Sequence, residues 1–364
     1  MRPGDEQAEL RAAVRSLLAR HEGAAAWRPL VEQIGAAGLA VPEEYGGAGR
    51  GALETHVVME ELGRVLSPVP YLGSAVLTVR ALLASGDRAA CADLLPALAA
   101  GTSVGALAWA EDGSGDPARI RTEAESGGGP RLTGVKEHVL GGQDADVLLV
   151  VARSAAGPSL FAVPVDGPGV TVEPLETMDA TRPQARVRLA GARARPVGAG
   201  GDGGRVLARA LDEAVVALAA EQVGGAARAL ERTVEHVGNR VQFGRPIGSF
   251  QAVKHRLADG YVMVESARSL ALAAATASAE DSPRLPLLAA AAGSACAEAF
   301  SAVAGEMIQL HGGIGFTWEH DAHRYFKRAH GSGLLLGTPS RHRGRLAAAL
   351  DLVPGPSRAA VARP

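Results

Sequence analysis

The segment Asn239-Arg-Val-Gln-Phe-Gly-Arg-Pro-Ile-Gly-Ser-Phe-Gln251 interrupts a long helical part of the chain. A glycine followed by a proline-containing turn predicts that one helix ends near Phe243–Gly244 and that another begins shortly afterwards. The turn places Arg240, Gln242 and Gln251 close together. A planar guanidinium beside amide side chains suits a diphosphate, and the phenylalanine offers a flat surface to a ring system. A capped interhelical turn with a solvated arginine explains the same residues, so this segment alone leaves its ligand open.

Helical patterns extend to both sides of this turn. Upstream, apolar residues recur at helical spacing at Leu207, Leu211, Val215 and Leu218. Downstream, segments rich in alanine and leucine continue to about Leu352. The loop Gly198–Gly204, with five glycines in seven residues, precedes the first helix and is typical of a boundary. We therefore predict a C-terminal helical-bundle domain over residues 198–352, followed by a flexible tail over residues 353–364.

The first two thirds of the chain divide into a helical part and a β part. Residues 1–102 contain Ala- and Leu-rich segments with helical spacing, broken by proline and glycine. Residues 103–197 contain short apolar runs such as Val147–Ala152 and Leu160–Val165, separated by turn residues. This order of helices, strands and helices predicts an α+β protein with an N-terminal helical domain and a middle antiparallel sheet or small barrel.

Composition excludes several classes of partner. The formal charge is −2, from 37 basic and 39 acidic residues, so no excess charge directs the protein to nucleic acid or to an anionic membrane. The N-terminus lacks a secretory pattern, and no strongly apolar run predicts a membrane span. Cys91 and Cys296 fit no metal or CxxC spacing and are expected to be reduced thiols. We expect a cytoplasmic protein without a membrane span.

Common catalytic motifs are absent from the sequence. It contains no HExxH, GxSxG or GxxxxGK[ST] pattern, which removes the usual pointers to zinc proteases, α/β-hydrolases and P-loop enzymes. The glycines of Gly46–Gly51 resemble a dinucleotide-binding loop, but they do not lie between a predicted strand and a helix. A surface turn after Pro42–Tyr45 is the better interpretation.

A second glycine-rich segment, Gln309–His323, follows the long helical region. Its small residues allow a cofactor or another backbone to approach closely, so it is predicted to be a ligand-contacting turn. The nearby histidines offer a metal-binding alternative, because His320 and His323 share one face if the segment is helical. No carboxylate–histidine pattern supports that alternative, and we predict no metal site.

Four blocks of the sequence, in order and spacing, resemble the acyl-CoA dehydrogenase family over nearly the whole chain. They are Gly38–Gly47, Met59–Gly63, Arg240–Gln251 and Gln309–Gly315. The resemblance implies an N-terminal helical domain, a middle β-domain and a C-terminal four-helix bundle, in agreement with the domains predicted above. It also implies an oxidoreductase of lipid metabolism.

The resemblance further implies that FAD binds across a subunit interface. Two groups of three residues are expected to contact it. On the diphosphate and adenine side these are Arg240, Gln242 and Phe243; from the neighbouring subunit they are Gln309, Gly312 and Gly313. The middle domain departs from the family pattern, because the T-E-P-x-x-G-S-D stretch appears here as Trp109–Pro117. In addition, His138 and Leu140 stand where many relatives place Trp and Thr against the flavin ring.

The family's chemistry needs a carboxylate that removes the α-proton of an acyl thioester while the β-hydrogen leaves as hydride. The two positions where relatives keep this glutamate are occupied here by Leu336 and Ala214. Glu213 is adjacent to Ala214 but points about 100° away, whereas Glu221 lies two turns along the same helix face. We therefore predict Glu221 as the catalytic base. Its alternative role is a buried carboxylate paired with an arginine.

Three hypotheses follow for the function. The first is an FAD-dependent dehydrogenase that converts an acyl-CoA to the enoyl-CoA, passes its electrons to a separate acceptor and uses an unusual base. The second is a flavin-binding subunit of a heteromeric dehydrogenase in which a related subunit supplies the carboxylate. The third is a scaffold of the same fold without redox turnover. The oligomer is a homo-oligomer in the first case and a heteromer in the second, and the acyl group stays open.

Overall fold

The computed structural model describes residues 4–112, 119–126 and 129–352, so the predicted tail at 353–364 lies outside the described residues. The N-terminal part is helical, as predicted. Its helices are α1 (Asp5–Arg20), α2 (Trp27–Ile34), α3 (Ala52–Arg64), α4 (Val79–Ser85) and α5 (Arg88–Ala99), and a π-helical segment, Tyr71–Thr78, leads into α4.

The middle part is an eight-stranded sheet. Its strands are β1 (Gly105–Ala108), β2 (Glu123–Ser126), β3 (Pro130–Leu140), β4 (Val147–Ser154), β5 (Gly157–Pro164), β6 (Val170–Pro174), β7 (Gln184–Arg193) and β8 (Arg195–Val197). The order is β6-β7-β3-β2-β4-β5-β8, with β1 beside β4. Most pairs are antiparallel, as predicted, but β1 and β2 pair with β4 in parallel. Because β5 occupies one edge of β4 along the whole length of β4, β1 and β2 share the other edge of β4.

The C-terminal part contains helices α6 (Gly203–Asn239), α7 (Gln251–Ala279), α8 (Leu285–His311), α9 (Ala322–Leu335) and α10 (Pro339–Ala349). The predicted four-helix bundle corresponds to α6–α9, and α10 adds a short fifth helix. Helix α6 ends four residues earlier than predicted, because Val241–Gln242 (β9) pairs with Arg245–Pro246 (β10) in a small hairpin. Phe243 and Gly244 at its tip have φ of 53° and 75°, as a tight two-residue hairpin turn requires.

The longest apolar helix belongs to the interior of this bundle. Within the described residues, one stretch, Leu285–Phe316, has the length and composition to cross a membrane. However, 56% of its most apolar window is buried inside the fold, which is what a core helix shows. Its central residues pack between α6 and α7 in an alanine-rich cluster.

Helices α3 and α6 cross at very short range, and this contact joins the N-terminal helices to the bundle. A side chain at Gly63 would collide with the backbone carbonyl of Glu221, and one at Gly224 would collide with that of Glu60. Glycine at both positions therefore permits the crossing, which fixes where the side chain of Glu221 enters the interior.

In the segment from Trp109, which differs from the family pattern, the described residues include one partner of a buried ion pair. Lys136 Nζ on β3 donates to Glu111 Oε1 at 2.5 Å and to the carbonyl of Val151 at 2.7 Å. The same carboxylate accepts hydrogen bonds from the hydroxyl and the amide of Thr122. Glu111 thus holds β3 and the segment before β2 together. The remainder of this segment, residues 113–118, lies outside the described residues.

A buried histidine on α3 gives the fold a pH dependence. His56 is 4% exposed, and burial lowers its pKa from 6.5 to about 4. Between these values the unfolded chain binds a proton that the folded chain excludes, so stability falls as the pH drops through this range. We expect the natural chain to lose about 2 kcal/mol more than His56→Gln between pH 7 and pH 5 in urea unfolding. The exposed His255→Gln is the matched control and is expected to follow the natural chain; equal losses in all three proteins would contradict the prediction.

Candidate active site

A cavity of about 470 Å³ lies between the sheet and helices α9 and α10. Trp109, Leu334 and Leu335 give it apolar walls, and it has the size of a small-molecule site. Its polar lining comes from both domains: His138, Thr177, Asp179, Arg182, Gln184, Thr338 and Arg341. An apolar cavity with a few polar side chains suits a flat ring system that carries hydrogen-bonding edges.

The sheet presents His138 to this cavity through a distortion of β3. The register with β7 shifts between Lys136 and Val139, and His138 has a φ of 53°. Its Nδ1 lies 2.9 Å from Oε1 of Gln184 on β7. If Nδ1 donates to this oxygen, Nε2 of a neutral ring is an acceptor. His138, which stands where many relatives have Trp, is therefore part of the cavity wall.

The six residues predicted to contact FAD lie elsewhere, and none of them lines this cavity. Arg240, Gln242 and Phe243 belong to the exposed hairpin after α6, where Phe243 is 91% exposed. Gln309, Gly312 and Gly313 end α8 and begin the next turn. The two groups are neighbours, because the rings of His236 on α6 and His311 on α8 stack with centroids 4.1 Å apart. Whether they contact FAD stays a prediction.

The glycines of this second group leave their backbone open. Gly312 has a φ of 66°, which favours glycine, and no other atom would lie within 4 Å of a side chain built on it or on Gly313. A large group can therefore approach this turn directly. The exposed aromatic residues Phe316 and Trp318 follow it.

The histidines of this region do not share a helix face, which corrects the alternative considered from the sequence. His320 precedes α9, which begins at Ala322, and its ring packs against that of His311 in a tilted arrangement with centroids 4.4 Å apart. His311 Nδ1 lies 2.7 Å from the carbonyl oxygen of Met307. Within the part of the chain that the structure describes, no group of three His, Cys, Asp or Glu side chains is arranged to hold a metal ion.

The two usual base positions lie in one apolar region. Ala214 on α6 is fully buried, and Leu336 packs against the same cluster. Leu336 also lines a cavity of about 160 Å³ next to the larger one. This smaller cavity contains a carboxylate that sequence reasoning missed, Asp212, which accepts a hydrogen bond from Arg345. No sequence signal connects the pair, since 133 residues separate its members.

Glu221 is part of a buried network of four charges. It accepts hydrogen bonds from Arg182 and, at 2.8 Å, from Nη1 of Arg328 on α9. Arg328 is 1% exposed and also donates at 2.7 Å to Asp179 in the loop before β7. Two arginines and two carboxylates balance each other, so the interior holds no net charge here.

The same network reaches the N-terminal part of the chain. Nη2 of Arg328 donates to the carbonyls of Leu66 at 3.2 Å and Ser67 at 3.3 Å, just after α3. It also donates to the hydroxyl and carbonyl of Thr181. Leu66 has a φ of 52°, so Arg328 holds a strained turn in place. All three parts of the chain therefore meet at one guanidinium.

The surroundings of Glu221 favour an ion-paired carboxylate over a base. Burial alone would raise the pKa of Glu221, but the two arginines outweigh burial and hold the pKa below its ordinary value. A base with a lowered pKa that accepts two guanidinium hydrogen bonds is weak and poorly accessible. The prediction that Glu221 removes the substrate proton stays a prediction, and its contacts favour the alternative role.

A helical part, a sheet and a helical bundle, in this order along the chain, match the three-part architecture of a family of dehydrogenases. Residues 4–102 match the acyl-CoA dehydrogenase N-terminal domain, residues 106–191 its middle domain and residues 201–350 its C-terminal domain. The chain belongs to the acyl-CoA dehydrogenase family. The predicted α+β fold class is confirmed, and the family supports FAD-dependent oxidation of an acyl-CoA at a CH–CH bond.

Individual relatives cover nearly the whole chain. It is 41% identical over 354 residues to acyl-CoA dehydrogenase IpdE2 of Mycobacterium tuberculosis, across 93% of this chain and 95% of IpdE2. A chain of the ChsE4-ChsE5 complex from Mycobacterium tuberculosis is 31% identical, with a TM-score of 0.86 and coverage of 97% and 99%. Glutaryl-coenzyme A dehydrogenase in its glutaryl-CoA complex is 27% identical, with a TM-score of 0.90 and 97% coverage of both chains.

Proposed function

We propose that this chain is an FAD-binding subunit of a heteromeric acyl-CoA dehydrogenase in which a related subunit supplies the catalytic carboxylate. The proposal depends on the residues that could act as the base. The two positions where relatives keep the glutamate hold apolar residues, Leu336 and Ala214, and the alternative, Glu221, is bound by two buried arginines. The similarity to a chain of the ChsE4-ChsE5 complex supports it, because that structure contains two different subunits.

The residues present fit a flavin in two separate places. The cavity beside Trp109 accepts a flat ring, and its polar lining offers partners for carbonyl and nitrogen edges. The exposed hairpin with Arg240 and Phe243 and the open turn at Gly312 suit the diphosphate and adenine parts. Since neither group lines the cavity, we propose that two subunits together enclose each FAD.

The chemistry that bound FAD would supply is to accept the hydride that leaves the β-carbon of the acyl group. This chain's own contribution is to enclose and orient. Trp109 and Leu335 form apolar walls of the cavity, and Thr338 and His138 offer hydrogen bonds within it. Removal of the α-proton falls to a carboxylate that the described residues do not provide at position 336 or 214.

Anaerobic titration with acyl-CoA thioesters tests the proposal. The flavin-loaded chain is mixed with a panel of thioesters that differ in chain length and ring content, while flavin absorbance is followed. We expect little bleaching by the chain alone. After addition of a related subunit that has glutamate at the family position, we expect bleaching and formation of the enoyl-CoA. The same subunit with that glutamate changed to glutamine is the matched control and is expected to restore nothing.

Two other outcomes separate the alternatives. Bleaching by the chain alone would contradict the partner-dependent role and assign the base to this chain; Glu221→Gln and Asp212→Asn would then show which carboxylate acts. A colourless protein that takes up no added FAD, alone or with the partner, would favour the scaffold.

A further inference from the structure

Arg182 lies where the buried network meets the large cavity. Its side chain lines the 470 Å³ cavity and also a second space of about 20 Å³, which has room for one water molecule. Only 6% of the residue is exposed. Arg182 is therefore a buried cation on the wall of the site that the proposed function assigns to the flavin ring.

One hydrogen-bond donor of this guanidinium is left over. Nη2 of Arg182 donates to Glu221, but Nε has no hydrogen-bond partner among the described residues. A buried donor without a partner is unfavourable, and a charged donor more so. All three nitrogens of Arg328 have hydrogen-bond acceptors, whereas Nε of Arg182 is left for a water molecule or a ligand atom.

The network of four charges is neutral as a whole, but neither of its carboxylates belongs to Arg182 alone. Glu221 is shared between Arg182 and Arg328, and Asp179 is engaged by Arg328 and by Thr181. Arg182 itself lines the cavity, so a ligand that carries carbonyl oxygens, and that gains negative charge during the reaction, can accept a hydrogen bond from its guanidinium.

We propose that Arg182 is a cofactor-binding residue that contacts a carbonyl edge of the flavin ring, and that Glu221 is a positioning residue that holds the guanidinium there. The inference rests on the proposed function, because it takes the large cavity as the flavin site. A fixed cation beside the ring favours the negative charge that a flavin gains on reduction, so Arg182 raises the reduction potential. This gives Glu221 a role without proton transfer.

The test compares FAD affinity and midpoint potential in the full-length chain and four variants: Arg182→Met, Arg182→Lys, Glu221→Gln and Arg186→Met. We expect Arg182→Met to bind FAD at least tenfold more weakly. Its preference for the reduced over the oxidised flavin is expected to fall about tenfold, a drop of about 30 mV for a two-electron couple. Arg182→Lys keeps the charge and is expected to keep most of the potential.

Glu221→Gln distinguishes electrostatics from a loss of structure. It removes the anion that faces Arg182 and is expected to raise the potential, opposite in sign to Arg182→Met, whereas structural damage would not give opposite shifts. If Arg182→Met does not fold, the FAD affinities and midpoint potentials of Arg182→Lys and Glu221→Gln test the inference. Arg186→Met removes an arginine on β7 that pairs with Glu137 at 2.9 Å and does not line the cavity. It is expected to leave both quantities unchanged.

Failure of the inference and failure of the proposed function give different results. A chain that binds FAD with the same affinity and potential in Arg182→Met and Arg186→Met overturns the role of Arg182 and leaves the proposed function standing. Shifts of the same sign in Arg182→Met and Glu221→Gln also overturn it. A natural chain that binds no FAD, alone or with a related subunit, overturns both.

Discussion

Leu336→Glu is expected to reduce its flavin with an acyl-CoA at least 100-fold faster than the natural chain. Position 336 is the place where relatives keep the base, and the side chain lines a cavity of about 160 Å³ beside the flavin-sized one. General base catalysis contributes about 10²–10⁴ in rate, so a carboxylate placed there supplies most of what the natural chain lacks. Stopped-flow absorbance of the flavin-loaded protein under anaerobic conditions measures the rate.

Leu336→Gln is the matched control for this gain. Glutamine has the size and polarity of glutamate but cannot take a proton at neutral pH, so it is expected to stay at the natural rate. Equal rates in Leu336→Glu and Leu336→Gln would show that no carboxylate is missing at position 336. The other family position is a poorer choice, because Ala214 is fully buried and a larger side chain would overpack the core.

Arg328→Met is expected to lower the free energy of unfolding by about 3–5 kcal/mol, because it leaves buried carboxylates without their cation. Asp179 loses its 2.7 Å ion pair, and Glu221 keeps only Arg182. The carbonyls of Leu66 and Ser67 lose a donor as well. Urea unfolding followed by circular dichroism measures the change.

Arg324→Met is the control on the same helix. Arg324 is half exposed and pairs with Asp321 at 3.3 Å, and exposed pairs of this kind contribute about 0–1 kcal/mol. The double variant Glu221→Gln with Arg328→Met removes one charge of each sign, so we expect it to recover part of the loss. A loss of under 1 kcal/mol in Arg328→Met would contradict the network's structural role.

The fold was predictable because its signals are local. Leu207, Leu211 and Val215 repeat at helical spacing, and runs such as Val147–Ala152 alternate with turn residues. Each part of the chain can therefore be assigned to helix or strand from its own sequence. The end of α6 was misplaced because pairing in the short hairpin decides it, and neither Val241 nor Gln242 shows a strand pattern.

The site was predictable only in part, because its important contacts join distant residues. The absence of a glutamate from the family's two usual base positions could be read from Leu336 and Ala214 alone. The partners of Glu221 could not, since Arg182 lies 39 residues away and Arg328 107 residues away. The cavity could not be predicted either, because it forms only when the sheet and the last helices pack together.

Arg328 also affects how cooperatively the protein unfolds. Its guanidinium is bound at once by the turn after α3, by the loop before β7 and by α6. If any one of these parts opened alone, the parts that remain folded would keep buried charged and polar groups that have lost their partners, which is unfavourable. We therefore expect partly unfolded states of this region to be high in free energy. A protease is expected to encounter the region either folded or fully unfolded.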